Sequence, residues 1–173
     1  DSTFALRELL KRGVTNAAIA MIWDPVAVQV VMSTEVGAKL DIRLGGKMGS
    51  MSGDPLDLQV EVIGIIPNMV QEFPQLDSEP IAFPCGDAVA LRCQGIDIIV
   101  NSLRGQVFNP QVFTNFGIDV SAKRLLIVKS TQHFYAGYEP IAAKILYMDA
   151  GGALQFDFPN LPYHHDHSHK YPW

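Results

Sequence analysis

Chemistry in this chain would concentrate first on one short string, Lys129-Ser130-Thr131-Gln132-His133, which follows the apolar run Leu125 to Val128. His133 is the one histidine outside the C-terminal tail. An imidazole titrates close enough to neutrality to serve as acid, base or oxyanion partner. A histidine where the chain turns also satisfies backbone groups, and spacing alone does not separate the two roles. Two further apolar runs end in polar groups: Trp23-Asp24, and Asn101-Ser102 with Arg104 and Gln106. In open α/β sheets, ligands collect beyond the carboxyl ends of parallel strands, where loops converge. These three strand ends are therefore the expected rim of a site, with His133 as the catalytic candidate and Ser130, Thr131, Gln132 and Arg104 as substrate contacts. Asp24 carries less weight, because an Asp before Pro25 is also the signature of a helix cap.

The glycine-rich string Gly45-Gly46-Lys47-Met48-Gly49 raises the question of phosphate binding through exposed backbone amides. It matches neither GxGxxG nor GxxxxGK[ST], and it joins two alternating segments rather than a strand and a helix. A flexible hairpin loop is expected, with Lys47 as an amine that reaches toward a substrate carboxylate. The tail offers four histidines and Asp166 between His164 and His169, enough ligands for zinc, copper or nickel. A catalytic zinc needs ligands held rigidly, and a chain end with Pro162 and Pro172 has no obvious frame, so a solvated tail is expected. The rest of the chain has one histidine, no HExxH, no GxSxG, and no cysteine near a histidine in sequence. It does not assemble a three-ligand zinc site by itself, so in an enzyme another segment supplies the reactive centre.

The elements that must position these residues alternate. Ala5, Leu6, Leu9 and Leu10 share one helical face, and Lys11-Arg12-Gly13 supplies cations and a glycine for the helix end. Ala17 to Trp23 is an apolar run of strand length, as for a strand covered on both faces. Asp24-Pro25 then starts a helix through about Met32. Leu40, Ile42 and Leu44, and later Leu56, Leu58, Val60 and Val62, alternate with polar residues and read as half-buried antiparallel strands. Pro67 to Pro84 reads as a long loop. Val89, Leu91 and Cys93 alternate, Gln94-Gly95 turns, and Ile96 to Val100 returns as a buried strand. Asn109-Pro110 caps a helix ending at Gly117, Leu125 to Val128 is a buried strand, Tyr138 to Lys144 a helix, and Ile145 to Met148 a last strand. The sum is a mixed α/β domain with parallel buried strands, a half-buried antiparallel section and helices packed on the sheet, spanning 1–163, with a His-rich tail at 164–173.

Composition narrows the function classes. A chain of 173 residues buries a real core in one domain. No run approaches the ~18 apolar residues of a membrane span, and Asp1-Ser2-Thr3-Phe4 has no signal-peptide pattern. The net charge is −5 with lysines and arginines scattered, which argues against nucleic acid. Cys85 and Cys93 have no CxxC neighbour and are expected as free thiols in a reducing, cytoplasmic setting. A homo-oligomer stays open.

Asp1-Ser2-Thr3, Ile22-Trp23-Asp24-Pro25, Leu44-Gly45-Gly46-Lys47, Pro55-Leu56-Asp57-Leu58, Gly86-Asp87-Ala88, Val128 to Phe134 and Leu161-Pro162-Tyr163 occur in this order along the chain. The ordered set resembles the C-terminal domain of microcystinase C (MlrC)-type zinc metallopeptidases over essentially the whole length. The resemblance implies an N-terminal metal-binding domain of the same protein, holding zinc through His and Asp side chains, and a peptide or amide substrate. The best-known member of that family hydrolyses linearised products of the toxin microcystin. None of the matched positions corresponds to a zinc ligand. The tail departs from the family, whose members usually carry arginine-rich sequence after the Leu-Pro-Tyr. The expected role of this domain is one wall of a substrate cleft, with a non-catalytic scaffold or interaction domain as the alternative. A metal-storage or metal-delivery domain built around the tail is a third.

Overall fold

The computed structural model describes residues 1–73, 75, 78–152 and 157. Its centre is strand β1 (Ala17–Trp23), whose first six residues are all buried, as a continuous apolar run requires when helices cover both faces. Strand β5 (Ile96–Asn101), buried throughout, lies parallel on one side of it. Strand β6 (Leu125–Val128) lies parallel on the other. Helix α1 (Phe4–Lys11) precedes β1 and buries Leu6 and Leu9. Helix α2 (Pro25–Met32) follows it, with Pro25 at the first helical position and the Asp24 carboxylate accepting the Ala27 N–H at 3.0 Å.

The remaining strands extend the same sheet in antiparallel fashion. Strand β2 (Lys39–Leu44) pairs with β3 (Leu56–Phe73) from Lys39 opposite Glu61 to Leu44 opposite Leu56. This register puts Ile42, Leu44, Leu56, Leu58 and Val60 on the core side, as their alternation predicts. Strand β4 (Ile81–Cys93) pairs with both β3 and β5, giving the order β2-β3-β4-β5-β1-β6. Gln94 and Gly95, both with positive φ, make the tight turn between β4 and β5.

The stretch from Pro67 to Pro84, expected as a loop, is instead largely a two-stranded arm. Its ladder runs from Met69 opposite Gly86 to Phe73 opposite Ile81. Pairing with β2 reaches only Glu61 of β3, and pairing with β5 reaches only Ala88 of β4. Both arm strands therefore run as edges, where proline removes no ladder bond that a neighbour needs. The irregular register around Ile66 to Val70 lies beside Pro67 and Pro84.

Two apolar layers flank the sheet. One contains Leu6, Leu9, Val28 and Val31 of α1 and α2 against Ile19, Val89, Leu91 and Ile98. The other gathers Met21, Met69, Ala88, Ile99, Val107, Val112, Phe113, Phe134 and Tyr138. Each large side chain buried here contributes roughly 1.5–3 kcal/mol relative to exposure. Helix α3 (Gln111–Thr114) belongs to the second layer and is shorter than the expected span to Gly117, which follows as turns.

The last helix is misplaced in the sequence reading. Helix α4 occupies Tyr135–Tyr138 rather than 138–144, so that Phe134 and Tyr138 enter the core one turn apart. Pro140 lacks the N–H that continuation needs. No strand forms at 145–148, where Leu146, Tyr147 and Met148 are exposed and no ladder partner is supplied. No helix among the described residues is long and apolar enough to cross a membrane.

At the amino ends of the parallel strands, Asp97 is 1% exposed. It accepts hydrogen bonds from Arg92 Nε at 2.7 Å and Lys123 Nζ at 2.6 Å. Burial alone would raise its carboxyl, yet these bonds outweigh burial and hold it below its usual value. The network ties β4 and β5 to the turn before β6.

Candidate functional site

At the opposite pole, the carboxyl ends of β5, β1 and β6 lie side by side. The chain leaves β1 through α2 on one face and crosses from β5 to β6 through α3 on the other face. In sheets connected this way, ligands bind beyond the carboxyl end of the strand from which the connections diverge. The three polar segments singled out in the sequence meet around it. Trp23 donates its indole N–H to Ser102 O at 2.9 Å, and Asp24 N–H reaches Asn101 O at 3.0 Å. The Arg104 guanidinium lies 4.1 Å from the Trp23 ring centroid, a cation–π contact. Its nearest carboxylate contact is a loose 3.7 Å approach to Asp1 Oδ2.

Lys129 leaves the end of β6, its backbone N–H bonded to Ala20 O at 2.9 Å. Burial around its amine, together with the positive charge of Arg104, holds the Lys129 ammonium below its ordinary value. The Asp1 carboxylate, 3.7 Å from Arg104, lies in the same neighbourhood.

Asp24 is more than a helix cap. Only 3% exposed, it uses Oδ2 to accept the Gly45 N–H at 2.8 Å and the Lys47 ammonium at 2.5 Å. The β2–β3 loop is thereby drawn onto the end of β1. Gly45 has a positive φ, and a Cβ there would collide with Thr3 and the Asp1 carbonyl, so the approach depends on glycine. The Lys47 amine also donates to Arg43 O at 2.8 Å. It is committed to the protein rather than reaching outward.

The histidine belongs to a second group beside the first. His133 is exposed and stands edge-on to Phe73 and Phe108, with ring centroids 5.6 and 6.0 Å away. Phe108 in turn packs edge-to-face on Phe73 at 5.0 Å and on Phe83 at 4.9 Å. Ser130 Oγ donates to Gln106 Oε1 at 3.0 Å, while Thr131 and Gln132 are exposed at the approach to α4. Gln71, fully buried in the arm, donates to Gln106 O at 2.6 Å and accepts Phe108 N–H at 2.8 Å. The arm therefore fixes the 104–108 segment, which carries Arg104 at one end and the aromatic shelf at the other.

The contacts thus place Arg104 with Trp23, Ser130 with Gln106, His133 with the phenylalanines, and Lys47 with Asp24. Sequence reading missed Gln71, Phe73 and Phe83 because they fall in the stretch taken as a loop. The alternation of Met69, Gln71 and Phe73 was the available signal. It also passed over Lys129 as a candidate, although Lys129 lies within the matched string Val128 to Phe134.

The described residues do not fit a catalytic metal. No three His, Cys, Asp or Glu residues among them converge. Asp24 is occupied by Ala27, Gly45 and Lys47. Cys85 and Cys93 are free and buried, and burial pushes both thiols up, away from the ligating thiolate. The tail at 164–169 lies outside the described residues.

These features define a mixed α/β domain whose candidate ligand face is the polar and aromatic rim at the carboxyl ends of three parallel strands. The chain belongs to the MlrC C-terminus family, whose model matches residues 1–165. It is 32% identical over 148 residues to Microcystinase C of Sphingomonas sp., covering 86% of this chain and 28% of that protein. A crystal structure of a protein from Mesorhizobium sp. BNC1, named as a metallopeptidase, shares the fold. Its TM-score is 0.69 at 20% identity, over 82% of this chain and 28% of that one. The chain thus spans little more than a quarter of the length of either relative.

Proposed function

We propose that this chain is the C-terminal, cleft-forming domain of a zinc-dependent peptide or amide hydrolase whose zinc sits in an N-terminal domain of the same protein. Family membership supports the hydrolase assignment, together with the similarity to a protein named Microcystinase C. The relatives' greater length leaves room for a metal domain. The observation that carries the reading is the meeting of three strand-end segments, with His133 exposed on an aromatic shelf and Arg104 on the face of Trp23. Exposed polar side chains on a rigid sheet end suit a substrate wall. In this reading His133 contacts the reacting amide, and Ser130, Thr131 and Gln132 orient the substrate beside it.

The packing of His133 on Phe73 and Phe108 also favours a second reading, a scaffold that holds the metal domain. His133→Ala in the intact protein separates the two. The hydrolase reading expects kcat/KM to fall by about 10²-fold with metal content and melting temperature retained. Unchanged turnover and Michaelis constant sink it. Intact per-molecule activity with weaker domain association supports the scaffold.

A further inference from the structure

We propose that strand β2 is a dimerisation edge: it pairs antiparallel with β2 of a second copy of this chain, Leu40 against Leu40 and Lys39 against the partner's Asp41. A two-fold contact of this kind joins both sheets into one. The inference goes beyond the hydrolase reading and does not rest on it.

β2 is the outermost strand on its side of the sheet and, among the described residues, pairs with β3 alone. An open edge offers its N–H and C=O groups to another strand. Elsewhere such groups are met by other parts of the chain. On the arm, Asn115 Nδ2 donates to Val70 O at 3.3 Å and Gln111 Oε1 accepts the Glu72 N–H at 2.7 Å, while Ser102 and Leu103 donate to the carbonyls of Asp87 and Cys85. The opposite edge of the sheet, β6, is only four residues long. β2 is covered in this way at one end only, where Lys47 Nζ donates to Arg43 O at 2.8 Å.

The ladder phase and the charges select one register. Val62 N–H donates to Ala38 O at 2.9 Å, so the alternation of an antiparallel ladder turns the backbone groups of Leu40 and Ile42 toward β3 and those of Lys39, Asp41 and Arg43 outward. Lys47 occupies the Arg43 carbonyl and is itself held by buried Asp24, which confines pairing to the residues before Arg43. Centring the pair on Lys39 or on Asp41 sets like charges opposite each other, which destabilises. Centring it on Leu40 sets Lys39 opposite the partner's Asp41 twice, with the outward backbone groups of both residues bonded across the two-fold axis. Lys39 and Asp41 are exposed and make no ion pair among the described residues, so both charges are available. The same register extends the apolar layer: Leu40 is only half-buried where Ile42 and Leu44 are buried, and its counterpart covers it. Val36 in the turn before β2 and Val30 on α2, which packs against β2, are exposed on the approach to this edge.

Sedimentation equilibrium of the intact protein tests the edge through a charge swap. Lys39→Glu and Asp41→Lys should each weaken dimerisation by about tenfold or more, because two attractive pairs become two repulsive ones. The double variant K39E/D41K should restore it, since the opposite charges again face each other. Leu40→Cys gives a second readout: facing residues in a non-hydrogen-bonded pair stand about 4.5 Å apart at Cα, within disulfide reach. Mild oxidation should therefore link two copies of that variant, whereas Gln59→Cys, one strand in from the edge, should stay unlinked. A protein that is monomeric throughout, single variants that dimerise like the wild type, or a folded double variant without recovery would overturn the edge. So would slow amide exchange at Lys39 and Asp41 in a monomer, which would assign the edge to another part of the same polypeptide. None of these measurements involves turnover, so loss of the hydrolase reading leaves their outcome unchanged.

Discussion

Asp24→Ala is expected to lower the free energy of unfolding by about 3–5 kcal/mol, the range for leaving one member of a buried ion pair alone. Three attachments converge on this carboxylate: the cap on α2, the Gly45 amide and the Lys47 ammonium. Alanine removes all of them and leaves the Lys47 amine beside an empty, 3% exposed position. Asparagine restores only the cap, worth about 1 kcal/mol, because its amide turns donors toward Gly45 and Lys47. Urea unfolding of the two variants measures the difference. Because Asp24 binds the β2–β3 loop to the end of β1, the same change should loosen the rim near Trp23. A loss within about 0.5 kcal/mol, the usual range for surface substitutions, would show that this carboxylate is not the anchor.

Asp97→Ala is expected to cost a similar ~3–5 kcal/mol at neutral pH, since Arg92 and Lys123 both lose their buried acceptor. Lys123 suffers more, being 13% exposed against 49% for Arg92. The pH dependence has a definite sign. The folded carboxyl sits below its usual value, after the hydrogen bonds from Arg92 and Lys123 have overcome the effect of burial. Its contribution is therefore fully present above the unfolded value of about 3.9 and is lost as pH falls through the folded value. The gap in urea midpoint between wild type and variant should narrow as the solution is acidified below about pH 4. A gap that stays constant into strong acid would mean that Asp97 is not held ionised by its partners.

Much of the framework was legible because periodicity and local punctuation agreed. The apolar run Ala17–Trp23, the Asp24-Pro25 start, and the alternation on either side of the glycine-rich loop each had one interpretation, and each element formed where expected. The arm was illegible because Pro67 and Pro84 are breakers in a central strand but tolerated on an edge. Edge status is a property of the sheet, not of the segment. The final helix was misread because its burial is decided by Phe134 and Tyr138 against Val112 and Phe113 on another element. The apolar residues from Ile145 onward lack a strand partner, and composition alone does not supply one.

The candidate site was legible at the level of segments. Three apolar runs, each followed by polar residues, were enough to place Trp23, Arg104 and Lys129 at one sheet end, because parallel strands deliver their carboxyl ends together. Pairings within the rim were not legible. Lys47 turns back onto Asp24, and His133 turns toward Phe73 of the distant arm and Phe108 of the β5–β6 crossover. Such contacts depend on how the arm folds over residues 104–108, where Gln71 makes two hydrogen bonds.

The central claim, that this rim faces the proposed metal domain of the intact protein, is most directly tested by loading that protein with paramagnetic cobalt in place of the proposed zinc and recording resonance broadening across this domain. The account predicts strong broadening of the His133 imidazole and the Trp23 indole, with the Gln94–Gly95 turn at the amino end of β5 unaffected. Sharp His133 and Trp23 signals, with broadening at the Gln94–Gly95 turn or nowhere in the domain, would contradict it.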